Sequence, residues 1–189
     1  MNESEIDAIR ESLLVLRAQS RDADAFQQLV VIYERRMLYY VHRLLGSEVD
    51  RSDVLQEIWL KVFLGIGSLR APQAFRVWLY KIGHDVAISQ LRRNRRRELT
   101  TTLTDIQVDD ASRQSEWNEL ELLEHAELVH DALGKLSLPH REVLTLRFLE
   151  GLELAEIAEI VGCNVGTVKS RLHYAKSAMR TLLEATYRE

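Results

Sequence analysis

The stretch LELAEIAEIVGCNVGTVKSRLHYAKSAMRTLL, residues 152–183, decides how the chain is read. Leu154, Ile157, Ala158 and Val161 recur at the spacing of one face of a short helix. Gly162, Cys163 and Asn164 interrupt it, and Val168, Leu172, Ala175, Met179 and Leu182 mark the inner face of a second helix that starts near Val165–Thr167. Two short amphipathic helices joined by a tight turn containing glycine form a helix-turn-helix, whose second helix enters the major groove with its N-terminal part against base edges. The charges agree. Between Val165 and Arg180 stand Lys169, Arg171, Lys176 and Arg180 with no acid, whereas the preceding helix carries Glu153, Glu156 and Glu159. Ser170, His173, Tyr174 and Ser177 lie opposite the apolar face. A helical hairpin with a solvated basic face has the same pattern, so both readings stand on periodicity alone.

Upstream the rhythm is also helical. Phe26, Leu29, Val30, Tyr33, Met37, Leu38, Val41, Leu44 and Leu45 keep the 3.6-residue period from Asp24, and Gly46 punctuates the end. Val54, Leu55, Ile58, Trp59, Val62 and Phe63 form the next face, with Asp50 or Ser52 as its N-cap. The segment GIGSLRAP, residues 65–72, reads as a loop. A third helix from about Gln73 carries Phe75, Trp78, Leu79, Ile82, Val86 and Leu91 and runs into Arg92, Arg93, Asn94, Arg95, Arg96 and Arg97. Residues 98–116 lose the periodicity, which resumes near Trp117, and Pro139 opens a further helix in its first turn. The expectation is an all-α chain of two small helical domains joined by an acidic linker, the C-terminal one a helix-turn-helix. The apolar spacing of Ile6, Ile9, Leu13, Leu14 and Leu16 permits one more helix at the N-terminus.

The chain has 189 residues and a formal net charge of -4. The average hides an asymmetry: residues 21–97 carry 14 basic and 8 acidic side chains, and residues 98–131 carry 1 and 10. With 46% hydrophobic residues, 2 prolines and 8 glycines, fibrous and low-complexity classes are excluded. No run of roughly 18 apolar residues suggests a membrane span, and the acidic N-terminus lacks the pattern of a signal peptide, so a cytoplasmic location and no membrane insertion are expected. The single Cys163 excludes an internal disulfide framework and is read as a small apolar residue of the turn. The six histidines have no metal-ligand spacing, and no phosphate loop, nucleophile elbow or dinucleotide fingerprint is present. No catalysis, metal or cofactor is expected.

The segment LPHREVLTLRFLEGLELAEIAEIVGCNVGTVKSRLHYAKSAM resembles the promoter-reading C-terminal domain of bacterial sigma factors of the extracytoplasmic-function group, with GTVKSRL the most characteristic run. DVLQEIWLKVF resembles the helix by which these factors grip core RNA polymerase, and FRVWLYKIGHDVAISQLRRNRRR the helix that opens promoter DNA. The resemblance spans about residues 21–185 and implies an N-terminal extension (1–20), sigma domain 2 (21–97), an acidic linker (98–126) and sigma domain 4 (127–189). It implies a factor that binds core RNA polymerase and directs initiation at promoter DNA, with an anti-sigma factor as a further candidate partner. A stand-alone helix-turn-helix regulator, with residues 1–97 as sensor or dimerisation domain, is the alternative.

The resemblance also implies roles. Asp50, Asp53, Gln56 and Glu57 match the polymerase-binding face, although acids in a first helical turn also suit the helix dipole. Arg70, Lys81, His84, Asp85, Arg92, Arg93, Arg95, Arg96 and Arg97 match the minus-ten region, where opened DNA needs a pocket for an extruded base, stacking surface and cations. The loop of residues 65–72 matches the family's base-capturing loop. Trp78 and Phe75 fit either the core or a stacking surface. Thr167, Lys169, Ser170, Arg171, His173 and Tyr174 match the minus-thirty-five reading helix. Four positions depart from the family pattern: Ser52 where glutamate is frequent, Gly83 where alanine is frequent, Asp85 where asparagine is usual, and Tyr174 in place of a frequent arginine. The acidic linker reads equally as a solvated tether or as a nucleic-acid mimic that folds back on the basic surfaces or threads into the polymerase.

Overall fold

The structure, a computed structural model, describes residues 3–46, 51–100 and 120–186. Its helices are α1 (Glu3–Gln19), α2 (Ala23–Leu45), α3 (Arg51–Gly65), α4 (Phe75–Thr100), α5 (Leu120–Lys135), α6 (Leu138–Leu144), α7 (Leu154–Val161) and α8 (Val165–Thr186). Two 3-10 turns, Ile66–Ser68 and Pro72–Ala74, and a π-helical turn, Thr145–Leu149, complete the order. The described residues contain no strand.

The N-terminal half is a bundle of α1–α4. On α2 the period buries Leu29, Tyr33, Met37, Tyr40, Val41 and Leu44. Asp22 starts that helix by accepting the Ala25 N–H at 3.1 Å, and Arg17 pairs with its carboxylate at 2.7 Å. Those contacts, the Ala25 N–H first, hold the Asp22 carboxyl below the usual carboxylate range. Gly46 ends α2 at φ 74°, a conformation that favours glycine. Residues 1–20, which the spacing allowed to be helical, supply α1, and Leu14, Val15 and Ala18 bury themselves against α2. Tyr33 donates to Glu11 across that contact.

Helices α2 and α4 approach closely at Gly83, where a Cβ atom would sit 2.8 Å from Met37 Sδ and 3.5 Å from Tyr40 Cε1. This explains the glycine: alanine there needs Met37 to move. Phe75 is fully buried and meets Tyr33 edge-on, so it belongs to the core and not to a stacking surface. Trp78 is half-buried beside Phe75, with its ring over Gly65.

The C-terminal half packs α5–α8 around Leu133, Val143, Leu146, Leu152, Ile157, Ile160, Val168 and Ala175. Pro139 sits in the first turn of α6, as expected. The helix then widens through Thr145–Leu149, which buries Leu146 and leaves Phe148 and Leu149 exposed.

Two boundaries differ from the periodicity reading. The loop at residues 65–72 is largely built of 3-10 turns and turns Ile66 into the core. Helix α4 continues past the arginine run to Thr100, because arginine is a good helix former and nothing there breaks the ladder. Helix α5 begins at Leu120, so helices enter the 98–126 segment from both sides. The rest of that segment, with Trp117 and the acidic stretch expected to fold back, lies outside the described residues.

Candidate nucleic-acid interface

The local sequence builds α7 and α8 as two helices with a fixed turn. Glu156 accepts the Glu153 N–H at 2.7 Å at the start of α7. Gly162 closes it in the left-handed region at φ 66°. Asn164 then starts α8, its Oδ1 accepting the Thr167 N–H at 2.8 Å and the Thr167 hydroxyl at 3.0 Å. Val168, Leu172 and Ala175 root the helix in the core. Lys169, Ser170, His173 and Tyr174 project into solvent together, with Tyr174 62% exposed and its ring edge-on to His173. Arg171 is half-buried at the flank. Thr167 is half-buried and its hydroxyl serves the turn.

On α4 the expected residues divide into two groups. Arg92, Arg93, Arg95 and Arg96 are exposed along the last turns. Arg93 bonds Ser89 and Gln90 on its own helix and lies 3.8 Å from Glu57. Asp85 and, in the loop, Arg70 are exposed. The side chain of Arg97 lies outside the described residues. Lys81 and His84 instead face the C-terminal half. Lys81 Nζ donates to the Glu159 carbonyl at 3.0 Å, and His84 Nδ1 is 2.6 Å from Glu142 Oε1.

That contact is part of a polar seam between the halves. The Tyr40 hydroxyl donates to Glu142 at 2.7 Å, and Glu142 is only 3% exposed. Arg36 grips Glu150, itself 4% exposed, with Nε at 2.9 Å and Nη2 at 2.8 Å. Arg43 donates to the His130 carbonyl at 2.9 Å, and the His130 ring meets Tyr39 at 3.0 Å. Burial, then the Glu142 carboxylate, pushes the Tyr40 phenol well up. Burial and nearby Glu150 push Tyr80 up in the same way. Burial works against the charge of Arg36, but Glu150, Tyr80 and Tyr33 together outweigh it and hold the guanidinium above its ordinary value. Sequence reasoning missed Tyr40, Glu142, Glu150 and Arg36. A signal existed for Glu142: it stands four residues from Leu138 and from Leu146, on the buried side of its helix.

A third surface lies on α3. Asp53 and Gln56 are exposed, and Glu57 is bridged to Lys61 at 3.0 Å. Asp50 lies outside the described residues. Beside them is an open groove of about 510 Å³ lined by Phe26, Val30, Glu34, Ser52, Leu55, Gln56, Trp59 and Leu60. Its rim continues into exposed Phe63 and Leu64. An acid- and amide-bearing helix beside an apolar trough suits a partner with both cationic and apolar side chains. Among the described residues no group of three or more His, Cys, Asp or Glu could hold a metal, and no helix is long and apolar enough to cross a membrane.

Comparison with known proteins falls on the same elements. Residues 29–97 match the family model described as Sigma-70 region 2, and residues 126–179 match Sigma-70, region 4. The chain is 32% identical over 187 residues to the RNA polymerase sigma-H factor of Pseudomonas aeruginosa, covering 95% of this chain and 97% of that protein. It is 32% identical to the ECF RNA polymerase sigma-E factor of Escherichia coli K12, covering 92% and 94%. Among solved structures, CnrH in complex with the cytosolic domain of CnrY is similar with a TM-score of 0.66 at 25% identity, over 93% of this chain and 97% of that one.

Proposed function

The chain belongs to the extracytoplasmic-function group of the sigma-70 family, and we propose the following division of labour for its surfaces. It is an RNA polymerase sigma factor that directs promoter-specific transcription initiation. Residues 21–97, with α1 docked on them, form the domain that binds core polymerase and opens the minus-ten element. Residues 127–189 form the domain that reads the minus-thirty-five element. Asp53, Gln56 and Glu57, with the neighbouring groove, meet the polymerase, and Asp50, outside the described residues, is assigned the same partner. An anti-sigma factor is a further partner. Transcription initiation places its work in the cytoplasm, and it needs no chemistry of its own.

On the DNA side, Lys169, Ser170, His173 and Tyr174 face the major groove, and Arg171 lies nearer the backbone, with Thr167 holding the turn. Arg92, Arg93, Arg95, Arg96 and Arg97 follow the opened strand. Arg70 and the turns of residues 65–72 take the extruded base, with Asp85 at their edge. Lys81 and His84 join this surface once the C-terminal half moves off α4.

The observation that carries this reading is one pairing. A capped, acid-free face on α8 and an arginine-lined end of α4 stand on one chain, in the order of the two matched family regions. The test is transcription in vitro with core polymerase on a randomised promoter library, beside gel-shift with and without core. Selection of a two-part promoter that requires core supports the assignment. Tight, specific binding of duplex by the free chain overturns it in favour of a stand-alone regulator.

A further inference from the structure

The Gly65–Pro72 segment is held from outside itself. The Gln19 side chain, at the end of α1, donates through Nε2 to the Ile66 carbonyl at 3.1 Å and to the Leu69 carbonyl at 2.6 Å. Both acceptors are carbonyl oxygens, so only the amide nitrogen can face them, and its two N–H groups are both spent there. Gln19 is half-buried and sits 47 and 50 residues before its partners. It is well braced. Leu14, Val15 and Ala18 bury the helix behind it, α1 packs on both 3-10 turns, and the Arg17–Asp22 pair fixes the corner just beyond.

Ile66 is buried and Leu69 packs against the core, but few other hydrogen bonds hold the segment's backbone. Its own bonds are Leu69 N–H to the Ile66 carbonyl at 3.2 Å, Ala74 N–H to the Ala71 carbonyl at 2.9 Å, Phe75 N–H to the Pro72 carbonyl and Ser68 Oγ to the Gly65 carbonyl at 2.7 Å. Ile66 points inward, while Gly67, Ser68, Arg70 and Ala71 are exposed. A strap on the two carbonyls thus fixes the backbone from the inner side and leaves the outer side chains free for a ligand.

We propose that Gln19 is a positioning residue for base selection: by clamping the Ile66 and Leu69 carbonyls it sets the one backbone conformation in which the Gly65–Pro72 turns accept an extruded base of the minus-ten strand. The proposal rests on the reading that these turns contact that base. Residue 19 lies outside the region matched by the family model, residues 29–97. Without the clamp, the Ile66 carbonyl keeps its Leu69 N–H and the Leu69 carbonyl turns to water. The turns loosen while the bundle stays folded, and preorganised discrimination is what is lost.

The experiment uses the full-length chain with core polymerase, in run-off transcription over one panel of minus-ten variants and one of minus-thirty-five variants. Gln19→Met removes both donors at similar length. Gln19→Lys returns donors of sufficient reach. Ser68→Ala and Arg70→Ala test the turns themselves. Gln19→Met should narrow the spread of activities across the minus-ten panel by about fivefold or more, the scale expected for two lost neutral hydrogen bonds. It should leave the minus-thirty-five ranking and core affinity as they are, and Gln19→Lys should restore the spread. An even loss over both panels that lysine does not rescue assigns Gln19 a merely structural role and overturns the proposal. An unchanged minus-ten ranking in Gln19→Met, with a changed one in Ser68→Ala or Arg70→Ala, overturns it while the turns keep their role. No change in any of them removes the base-capturing reading, and the part of Gln19 with it.

Discussion

Nδ1 of His84 on α4 lies 2.6 Å from Oε1 of Glu142 on α6, and the same oxygen accepts the Tyr40 hydroxyl at 2.7 Å. A side chain matched to promoter contact is therefore held by a carboxylate of the other half of the chain. Lys81 is engaged by the same half through the Glu159 carbonyl. This arrangement covers part of α4, while the side of α8 that carries Lys169, Ser170, His173 and Tyr174 remains exposed.

Glu142→Ala strands a buried hydroxyl and an imidazole, and that cost falls on the closed arrangement. A loss of about 1–3 kcal/mol raises the open fraction by about tenfold or more. Energy transfer between labels on α3 and α8 should fall, and the free chain should bind a single-stranded minus-ten oligonucleotide more tightly. Unchanged transfer and affinity would count against the seam.

Arg36→Ala leaves the Glu150 carboxylate buried without its guanidinium. Loss of charge-assisted bonds should lower the stability of the joined halves by roughly 2–3 kcal/mol. Arg36→Ala with Glu150→Leu should recover most of it, because the buried charge goes too. Thermal melting of the single and double variants decides, and no recovery in the double would sink the argument.

Asp53→Arg should weaken association with core polymerase by a few kcal/mol, since an exposed acid facing cations becomes a like charge. Lys61→Ala, which removes the nearer of the two cations beside Glu57 and leaves Arg93, should change affinity far less. A titration with labelled core reads both, and equal effects would move the contact away from Asp53.

Lys169→Ala or His173→Ala should cost about 1–3 kcal/mol at the base it reads and reorder promoters that differ upstream. Arg171→Ala should lower all of them together and reduce the salt slope by about one unit. Run-off transcription over upstream variants at two salt concentrations separates the cases. Intact ranking in both Lys169 and His173 variants would leave α8 without a reading role.

Asn164→Ala removes the acceptor of the Thr167 N–H and should destabilise the start of α8 by about 1 kcal/mol. Amide exchange in the first turn of α8 should quicken while α7 keeps its protection. Equal rates in both proteins would show that the turn does not depend on this cap.

Most helices were legible because their signal is local. An apolar residue every third or fourth position is enough to place α2, α4, α7 and α8, and Gly46, Pro139 and Gly162 mark ends through their own backbone preferences. The recognition face was legible for the same reason, being what remains opposite Val168, Leu172 and Ala175. What escaped was set by partners far along the chain. Glu142 looks like any surface acid until Tyr40 and His84 close on it, and Gln19 has no pattern that points to two carbonyls some fifty residues on. Gly83 drew notice as a departure, but its reason is the Met37 side chain of another helix, which lies where a Cβ would go and which no single segment encodes.

Helix α8 has 22 residues, so it is a rod of about 33 Å. Its first turns carry the exposed Lys169 and Ser170, and its later residues Ala178, Met179 and Leu182 bed against the core, with α5 packed on it. Helix α5 is also the first described element after the acidic segment. A shift of α5 against that rod would be carried along its length to Lys169 and Ser170, the exposed side chains near its start.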